Sequence, residues 1–374
     1  MTHPTPPPEV FIVGGGPAGL AAAIAASRQG LRVAVADSLR PPIDKACGEG
    51  LMPDAVAALH DLGVRFSSGE AIPFHGIRFL DGRSGLSVEA RFPQGPGLAV
   101  RRTTLHARLA QRAAEAGAAM RWGASVTLLE NGKAVCDGRE IDSDWIVGAD
   151  GLQSHVRQWA GLQPARSPRK RFGFRLHFRM TSWTDLVEVY WGPDCQIAVT
   201  PTAQDEVGLA LVSRNPGLRI RDALHRMPVL AARLAGAEPI ARERGAPSIP
   251  RKLPALFRGR VALIGDASSS VDPVTGEGLG LSFRQAIALA EALRAGHLRG
   301  YQAAHRRIGR MPHRMSRLIL LMDRSAWLRE RALRAMSAEP QLFARLLSAN
   351  GSGPASSSLG AADALRLGWR MARS

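Results

Sequence analysis

Residues 10–24, VFIVGGGPAGLAAAI, constrain the fold of this chain more than any other stretch. An apolar, mostly β-branched run, Val10-Phe11-Ile12-Val13, stops at Gly14-x-Gly16-x-x-Gly19, and an alanine-rich helix pattern follows at once. Gly14 allows a tight turn out of the strand, Gly16 lets a pyrophosphate approach bare backbone, and Gly19 lets the new helix pack close to the strand. The helix N-terminus, with Pro17 and Ala18 in its first turn, offers free N–H groups and about half a positive charge to phosphate. A second strand, Leu31 to Ala36, ends at Asp37, roughly 20 residues past the glycines, where a ribose hydroxyl needs an acceptor. A glycine triplet alone is weak evidence; set between two strands and an acid it specifies a dinucleotide unit. It does not separate NAD from FAD.

The chain has 374 residues, enough for two domains or one with an insertion, and its 45% hydrophobic content suits a globular α/β enzyme. Cys47, Cys136 and Cys195 are scattered, with no Cys/His cluster to hold a metal, so a reduced, cytoplasmic protein is expected. The proline-rich start, residues 1–8, reads as a disordered tail rather than a secretory signal. No apolar run approaches the ~20 residues needed to span a bilayer. The net charge is +17, and from Arg299 onward fourteen arginines face four acidic residues. A solvated arginine face accounts for this, and so does peripheral contact with an anionic membrane or an acidic carrier; no nucleic-acid module accompanies it.

After the first unit comes an irregular segment, residues 38–53, and a helix from Asp54, as N-cap, to Leu62. Residues 71–100 read as short strands with turns at Asp81-Gly82 and 93–97, and a helix runs from Thr103 to Ala116 with Leu105, Leu109 and Ala113 on one face. Strands are expected at 124–129, 134–136 and 144–147. From Lys170 the pattern alternates: Phe172, Phe174, Leu176, Phe178 and Met180 on one face, Gly173, Arg175, His177 and Arg179 on the other. With strands at 186–191, 196–201 and 207–212 this predicts an antiparallel sheet with one greasy face. That face is either the roof of a pocket or an ordinary core, and Phe174, Leu176, Phe178 and Thr200 are the candidate substrate contacts. Arg175 and His177 either bind a polar group or are simply exposed on the wetter face. A helical stretch at 218–234, a strand at 260–264 and a long helix at 278–295 follow. The tail to 348 is helical, 350–360 is a linker, and 361–373 is a basic amphipathic segment.

Two further motifs carry chemistry. Ile146-Val147-Gly148-Ala149-Asp150-Gly151 ends a strand before a helix near Ser154, and Val261–Ile264 ends in Gly265-Asp266, placing a carboxylate for another sugar-type hydroxyl. Asp272-Pro273-Val274-Thr275-Gly276-Glu277-Gly278-Leu279-Gly280 then opens the long helix, a loop that aims backbone N–H groups at an electron-rich ring edge.

In this order and spacing the three motifs resemble those of the FAD-dependent monooxygenase superfamily typified by p-hydroxybenzoate hydroxylase, which also holds geranylgeranyl reductases and flavin-dependent halogenases. The resemblance covers about residues 9–300. It implies an α/β fold: a Rossmann-type FAD-binding domain from 9–70, 98–165 and 255–300, an inserted antiparallel-sheet substrate domain from 71–97 and 166–254, and a helical C-terminus at 301–349, with 350–374 as linker and basic tail. It implies that Gly14, Gly16, Gly19 and Asp37 hold the ADP half of FAD, that Arg102 contacts FAD, and that backbone near Val126 faces adenine. Asp266, beside Gly265, would hold the ribitol–pyrophosphate, and Pro273 and Gly276 to Gly280 the flavin ring. The Gly148–Arg157 element, with Asp150, is associated with FAD and NAD(P)H use.

Two departures matter. Gly265-Asp266-Ala267-Ser268-Ser269 stands where aromatic hydroxylases carry Gly-Asp-Ala-Ala-His, and Lys45-Ala46-Cys47-Gly48-Glu49-Gly50-Leu51 resembles the reductase branch. The lipid-site Tyr-x-Trp-x-Phe-Pro of that branch is missing; the matching stretch is Cys195–Pro201. The expectation is an NAD(P)H-dependent monooxygenase that uses FAD and O2 to hydroxylate an apolar or aromatic small molecule. The alternative is a reductase of carbon–carbon double bonds in an isoprenoid or lipid, with Cys47 or Glu49 as proton donor. A halogenase stands third, since the Trp-x-Trp-x-Ile-Pro element is absent.

Overall fold

Val10–Val13 runs down the middle of a six-stranded sheet, and its β-branched side chains are buried on both faces, as a parallel strand between helix layers must be. The sheet order is Phe257–Arg258, Val261–Leu263, Trp145–Gly148, Val10–Val13, Val33–Asp37, Ala119–Trp122; only the first pair is antiparallel. The computed structural model describes residues 6–128, 133–164 and 170–348. The expected linker and basic tail at 350–374 lie outside the described residues, as does most of the tail at 1–8; of the latter, the Pro7 carbonyl accepts from Arg32 Nε.

The Pro17–Arg28 helix packs between this sheet and the Gly278–Arg294 helix, which also covers the Pro53–Asp61 helix. The Pro53–Asp61 helix starts one residue earlier than the sequence reading, with Met52 at its N-cap. Asp54 is not the cap: it sits in the first turn, and its carboxylate pairs with Arg284 at 3.0 Å instead. The Ala119–Trp122 strand was not expected. It carries an arginine and half-exposed residues, and only its partner Val33–Asp37 reveals it as an edge strand.

The second sheet has the order Glu238–Pro239, Arg171–Arg179, Glu206–Ser213, Cys195–Ala203, Val187–Gly192, Gly76–Asp81, Ser87–Arg91, and Arg244–Ser248 also pairs with Arg171–Arg179. It is not purely antiparallel. Val187–Gly192 and Gly76–Asp81 run parallel, joining two segments a hundred residues apart.

This sheet corrects the expected roles of its two faces. Leu176, Phe178, Tyr190, Ile197, Leu209 and Leu211 form an apolar core under the short helices Ile220–Leu224 and Pro228–Arg233. The opposite face of the same strands is not wet: Arg171, Arg175 and His177 are buried too. Alternation predicted which residues share a face, and did so correctly. It could not show that Arg175 and His177 are covered by the irregular loop at 38–50, whose acids Asp44 and Glu49 neutralise them, or that Arg171 is met by Asp272. The C-terminal helices, Arg299–Arg324, Ala326–Ala338 and Pro340–Ser348, close the far edge of this sheet with Ile319, Met322, Leu333 and Phe343.

Candidate functional site

A cavity of about 730 Å³ runs from the Gly14 turn, past Asp266, under the 272–279 loop and against the second sheet. At its first end the wall is main chain. Gly14 has φ +112°, and a Cβ there would lie 2.5 Å from the Ala149 carbonyl; a Cβ on Gly19 would lie 1.9 Å from the Gly14 oxygen. Both positions are therefore closed to side chains by packing. Gly16 has open space around it, on the cavity side, as a pyrophosphate approaching the helix N-terminus requires. Asp37 lines the cavity; its Oδ2 accepts from Gly15 N (2.7 Å) and Oδ1 from Leu39 N (2.8 Å), leaving lone pairs for a ribose hydroxyl. Arg102 reaches the wall with its Nε buried and unpartnered, a positive donor that suits an anionic ligand.

Sequence reading missed His106, which ties this end together. It is fully buried; its Nε2 donates to the Gly15 carbonyl (2.9 Å) and its Nδ1 accepts from Ile43 N (3.5 Å). That pattern fixes one neutral tautomer, and burial lowers its pKa, consistent with the same state. The signal available was faint: one histidine on the buried face of a helix whose next turns are Leu109 and Ala113.

The middle of the cavity holds Asp266, paired with Lys45 at 3.4 Å, and Asp150. Asp150 lines the cavity, but its carboxylate is already committed: it accepts from Ser154 Oγ, His155 N and Val156 N, capping a short helix. Val126, Pro17, Ala18, Pro273, Gly276, Gly278 and Leu279 line the wall as well. Gly19, Gly265 and Gly280 stand behind it; Gly280 lets the long helix approach Ala55, and Gly265 (φ +59°) packs on Ala18.

At the far end the 45–50 loop meets the sheet. Cys47, Gly48 and Glu49 line the cavity, and Thr200 Oγ1 donates to the Gly48 carbonyl (2.9 Å). Glu49 adopts φ +59°, a left-handed conformation rare outside glycine, and is held there by its carboxylate. Oε1 accepts from Arg102 N (2.8 Å) and Arg175 Nη1 (3.0 Å), and Oε2 accepts from His177 Nε2 (2.6 Å). Arg101 donates to His177 Nδ1 (2.9 Å), so the Nε2–H is the one that faces Glu49. Arg175 also forks onto Asp44 with two bonds of 2.9 Å. Burial pushes the Asp44 carboxyl up, but Arg175 and Arg244 outweigh it and hold it below the usual carboxylate range.

The substrate-side wall comes from alternate residues of four strands: Gly173, Val187 and Val189, Ala198 and Thr200, Ala210 and Val212. Of the expected substrate contacts, Thr200 lies on this wall and Phe174 touches its rim, its ring beneath the Arg219 guanidinium at 4.3 Å. Leu176 and Phe178 do not reach it. They point to the helix-covered core, because the greasy face of the alternation is the one turned away from the cavity.

The FAD binding domain family model matches residues 8–228, well over half of the chain. The chain belongs to that family. It is an FAD-dependent oxidoreductase, and the glycine turn, Asp37 and the unpartnered Arg102 are the features of this structure that fit the cofactor. The chain is 29% identical to a menaquinone reductase of Mycolicibacterium smegmatis over 79% of this chain and 78% of that one. It is 24% identical to a digeranylgeranylglycerophospholipid reductase of Methanococcus vannielii, over 73% of each. Its fold matches a flavoprotein/dehydrogenase from Cytophaga hutchinsonii with a TM-score of 0.81 at 17% identity, over 98% of this chain and 100% of that one. Solved structures described as a flavin-dependent halogenase, a halogenase and a probable FAD-dependent monooxygenase share the fold at 15–20% identity, with TM-scores of 0.70, 0.72 and 0.67.

Proposed function

We propose that this flavoprotein reduces carbon–carbon double bonds of an apolar, isoprenoid-type substrate, with NADH or NADPH as the electron source. The observation that carries this reading is the substrate-side wall. Its four strands offer mainly small aliphatic side chains, the Thr200 hydroxyl is already donated to Gly48, and the other sheet-side hydroxyl is Ser248, on the strand paired with Arg171–Arg179. A phenol needs a fixed polar partner to orient its oxygen; an alkene chain needs a smooth apolar slot that excludes water. The similarity to reductases of menaquinone and of a geranylgeranyl lipid supports the same reading. The order of the two reactions expected from sequence is therefore reversed here.

FAD, when bound, supplies the hydride chemistry. The chain's own contribution is to hold the alkene against that ring, exclude water and deliver a proton. Of the two acids nominated from sequence, Glu49 is held by three donors and works as an anchor for the loop. Cys47 is the other, and its Sγ accepts from Glu49 N at 3.4 Å, which leaves its S–H free to donate. The test is to mix the purified yellow protein with a geranylgeranyl lipid and NAD(P)H, with and without O2, and weigh the products. A gain of two hydrogens per double bond, indifferent to O2, is the expected result. A gain of one oxygen atom that requires O2 overturns the proposal and restores the monooxygenase reading.

A further inference from the structure

The Arg299–Arg324 helix has two unlike faces. Tyr301, His305, Pro312, Ser316, Ile319 and Asp323 are buried against the body of the protein. On the other side Arg307, Arg310, Arg314, Arg317 and Arg324 are exposed, three, four or seven positions apart, so they form one stripe about 26 Å long at 1.5 Å per residue. None of the five pairs with a carboxylate among the described residues. Like charges at these spacings repel along a helix, so the stripe opposes the helix that carries it unless an outside anion relieves it. Leu321 fills the gap in the stripe at 52% exposure, and Trp327, just past the helix end, is 63% exposed beside the Arg331 guanidinium.

We infer that this face docks on an anionic lipid bilayer. Charge alone would fit any polyanion. The choice rests on Leu321 and Trp327, the two most exposed large apolar side chains of this region: an aliphatic and an indole flanked by arginines match a headgroup boundary, where apolar tips enter and guanidinium groups stay with phosphates. The Asp272 N–H donates to Ser316 Oγ on the buried side of the same helix (2.9 Å). Docking would thus set the bilayer one helix diameter from the loop that roofs the cavity. No helix among the described residues is long and apolar enough to cross a membrane, so contact would be peripheral.

The experiment uses the full flavin-loaded chain and phosphatidylcholine vesicles with and without phosphatidylglycerol, read by co-sedimentation. The native chain is expected to bind only the phosphatidylglycerol vesicles and to release as salt rises. R310Q/R314Q/R317Q should weaken binding roughly 100-fold, at about 1 kcal/mol per arginine, and L321S/W327S roughly tenfold, each with the flavin absorbance of the native chain. Three results would overturn the inference: no binding to either vesicle, triple-variant binding equal to native, or tighter binding to heparin than to vesicles with L321S/W327S unaffected. Vesicle binding is read without turnover, so it stands or falls separately from the proposed reaction.

Discussion

At the Gly14 end the cavity wall is mostly main chain from one short stretch of sequence, whereas at the sheet end it is side chains from four strands spread over residues 173–212. The first end recognises what is constant in a dinucleotide, its phosphates and sugars, with N–H groups and glycine gaps. The second end defines what varies, the substrate, with the volume of valines and alanines. The difference predicts that substitutions at the first end abolish cofactor binding, and that those at the second leave a yellow protein with altered substrate handling.

The largest expected effect is at Gly14. Gly14→Val places a branched side chain where even a Cβ would be 2.5 Å from the Ala149 carbonyl, at a φ of +112° that valine does not adopt. The strand–helix turn must open, and the purified variant should be colourless. A variant that retains native flavin absorbance would show that the turn tolerates displacement and that the contrast between the two ends is overdrawn.

The same contrast explains what could be read in the sequence. The Gly14 end was legible because its parts are local: a strand, three glycines, a helix and Asp37 within thirty residues. So was the Asp272–Gly280 loop. The sheet end was half legible. Period-two alternation sorted Phe174, Leu176 and Phe178 from Arg175 and His177, but burial of the polar set depends on Asp44 and Glu49, more than 120 residues away. Nothing local marks a polar face as an inner one. The parallel pairing of Val187–Gly192 with Gly76–Asp81 was invisible for the same reason.

Between the ends lies a buried ionic cluster that braces the ring-side loop. Arg171 Nη1 donates to Asp272 Oδ2 (2.6 Å), its Nη2 meets Gln196 and lies 3.6 Å from Asp323, and Arg214 holds the other oxygen of Asp323. Arg171, Asp272 and Asp323 are each at most 2% exposed at the side chain. Arg171→Met leaves Asp272 buried without its charged partner, while Asp323 keeps Arg214 and Gln196, and should cost about 3–5 kcal/mol, measured by denaturant unfolding. The visible flavin spectrum should shift as the loop loosens, and Arg171→Met with Asp272→Asn should recover part of the loss. Full stability in the single variant would mean the cluster does not brace the loop.

Ala210→Leu tests the sheet end by itself. Ala210 pairs with Ala198 across two strands, and the added methylenes occupy the substrate side of the cavity. Flavin content should stay native, while kcat/KM for a long apolar substrate should fall by about 10–200-fold, about 1–3 kcal/mol. Loss of flavin in this variant would mean that the two ends are not separable.

Acid should separate the ends by titration, with the smallest effect of the series. Burial holds His106 neutral below its ordinary pKa, with Nδ1 accepting from Ile43 N. The released imidazole, in the unfolded chain, takes its proton near 6.5, so this depressed base favours the folded, FAD-binding state fully above about pH 6.5 and loses that favour as pH falls below it. Protonation also puts a hydrogen on Nδ1 against the Ile43 N–H, breaking the contact that steadies the Gly15 turn. At the sheet end the sign is the usual one for a depressed carboxylate. The Asp44–Arg175 fork keeps its contribution above the ordinary carboxyl pKa and loses it only below that range. Lowering the pH from 7 to 5 should therefore weaken FAD binding, by an amount of the order of one buried hydrogen bond, about 1–3 kcal/mol, while the sheet end stays intact. Flavin fluorescence on release gives the first, and hydrogen exchange of the Arg171–Arg179 and Glu206–Ser213 backbone amides gives the second. His106→Asn should flatten the pH dependence of FAD affinity and leave the acid unfolding of the sheet where it was; simultaneous loss of both signals in the native chain would show that the cavity opens as one unit rather than from its nucleotide end.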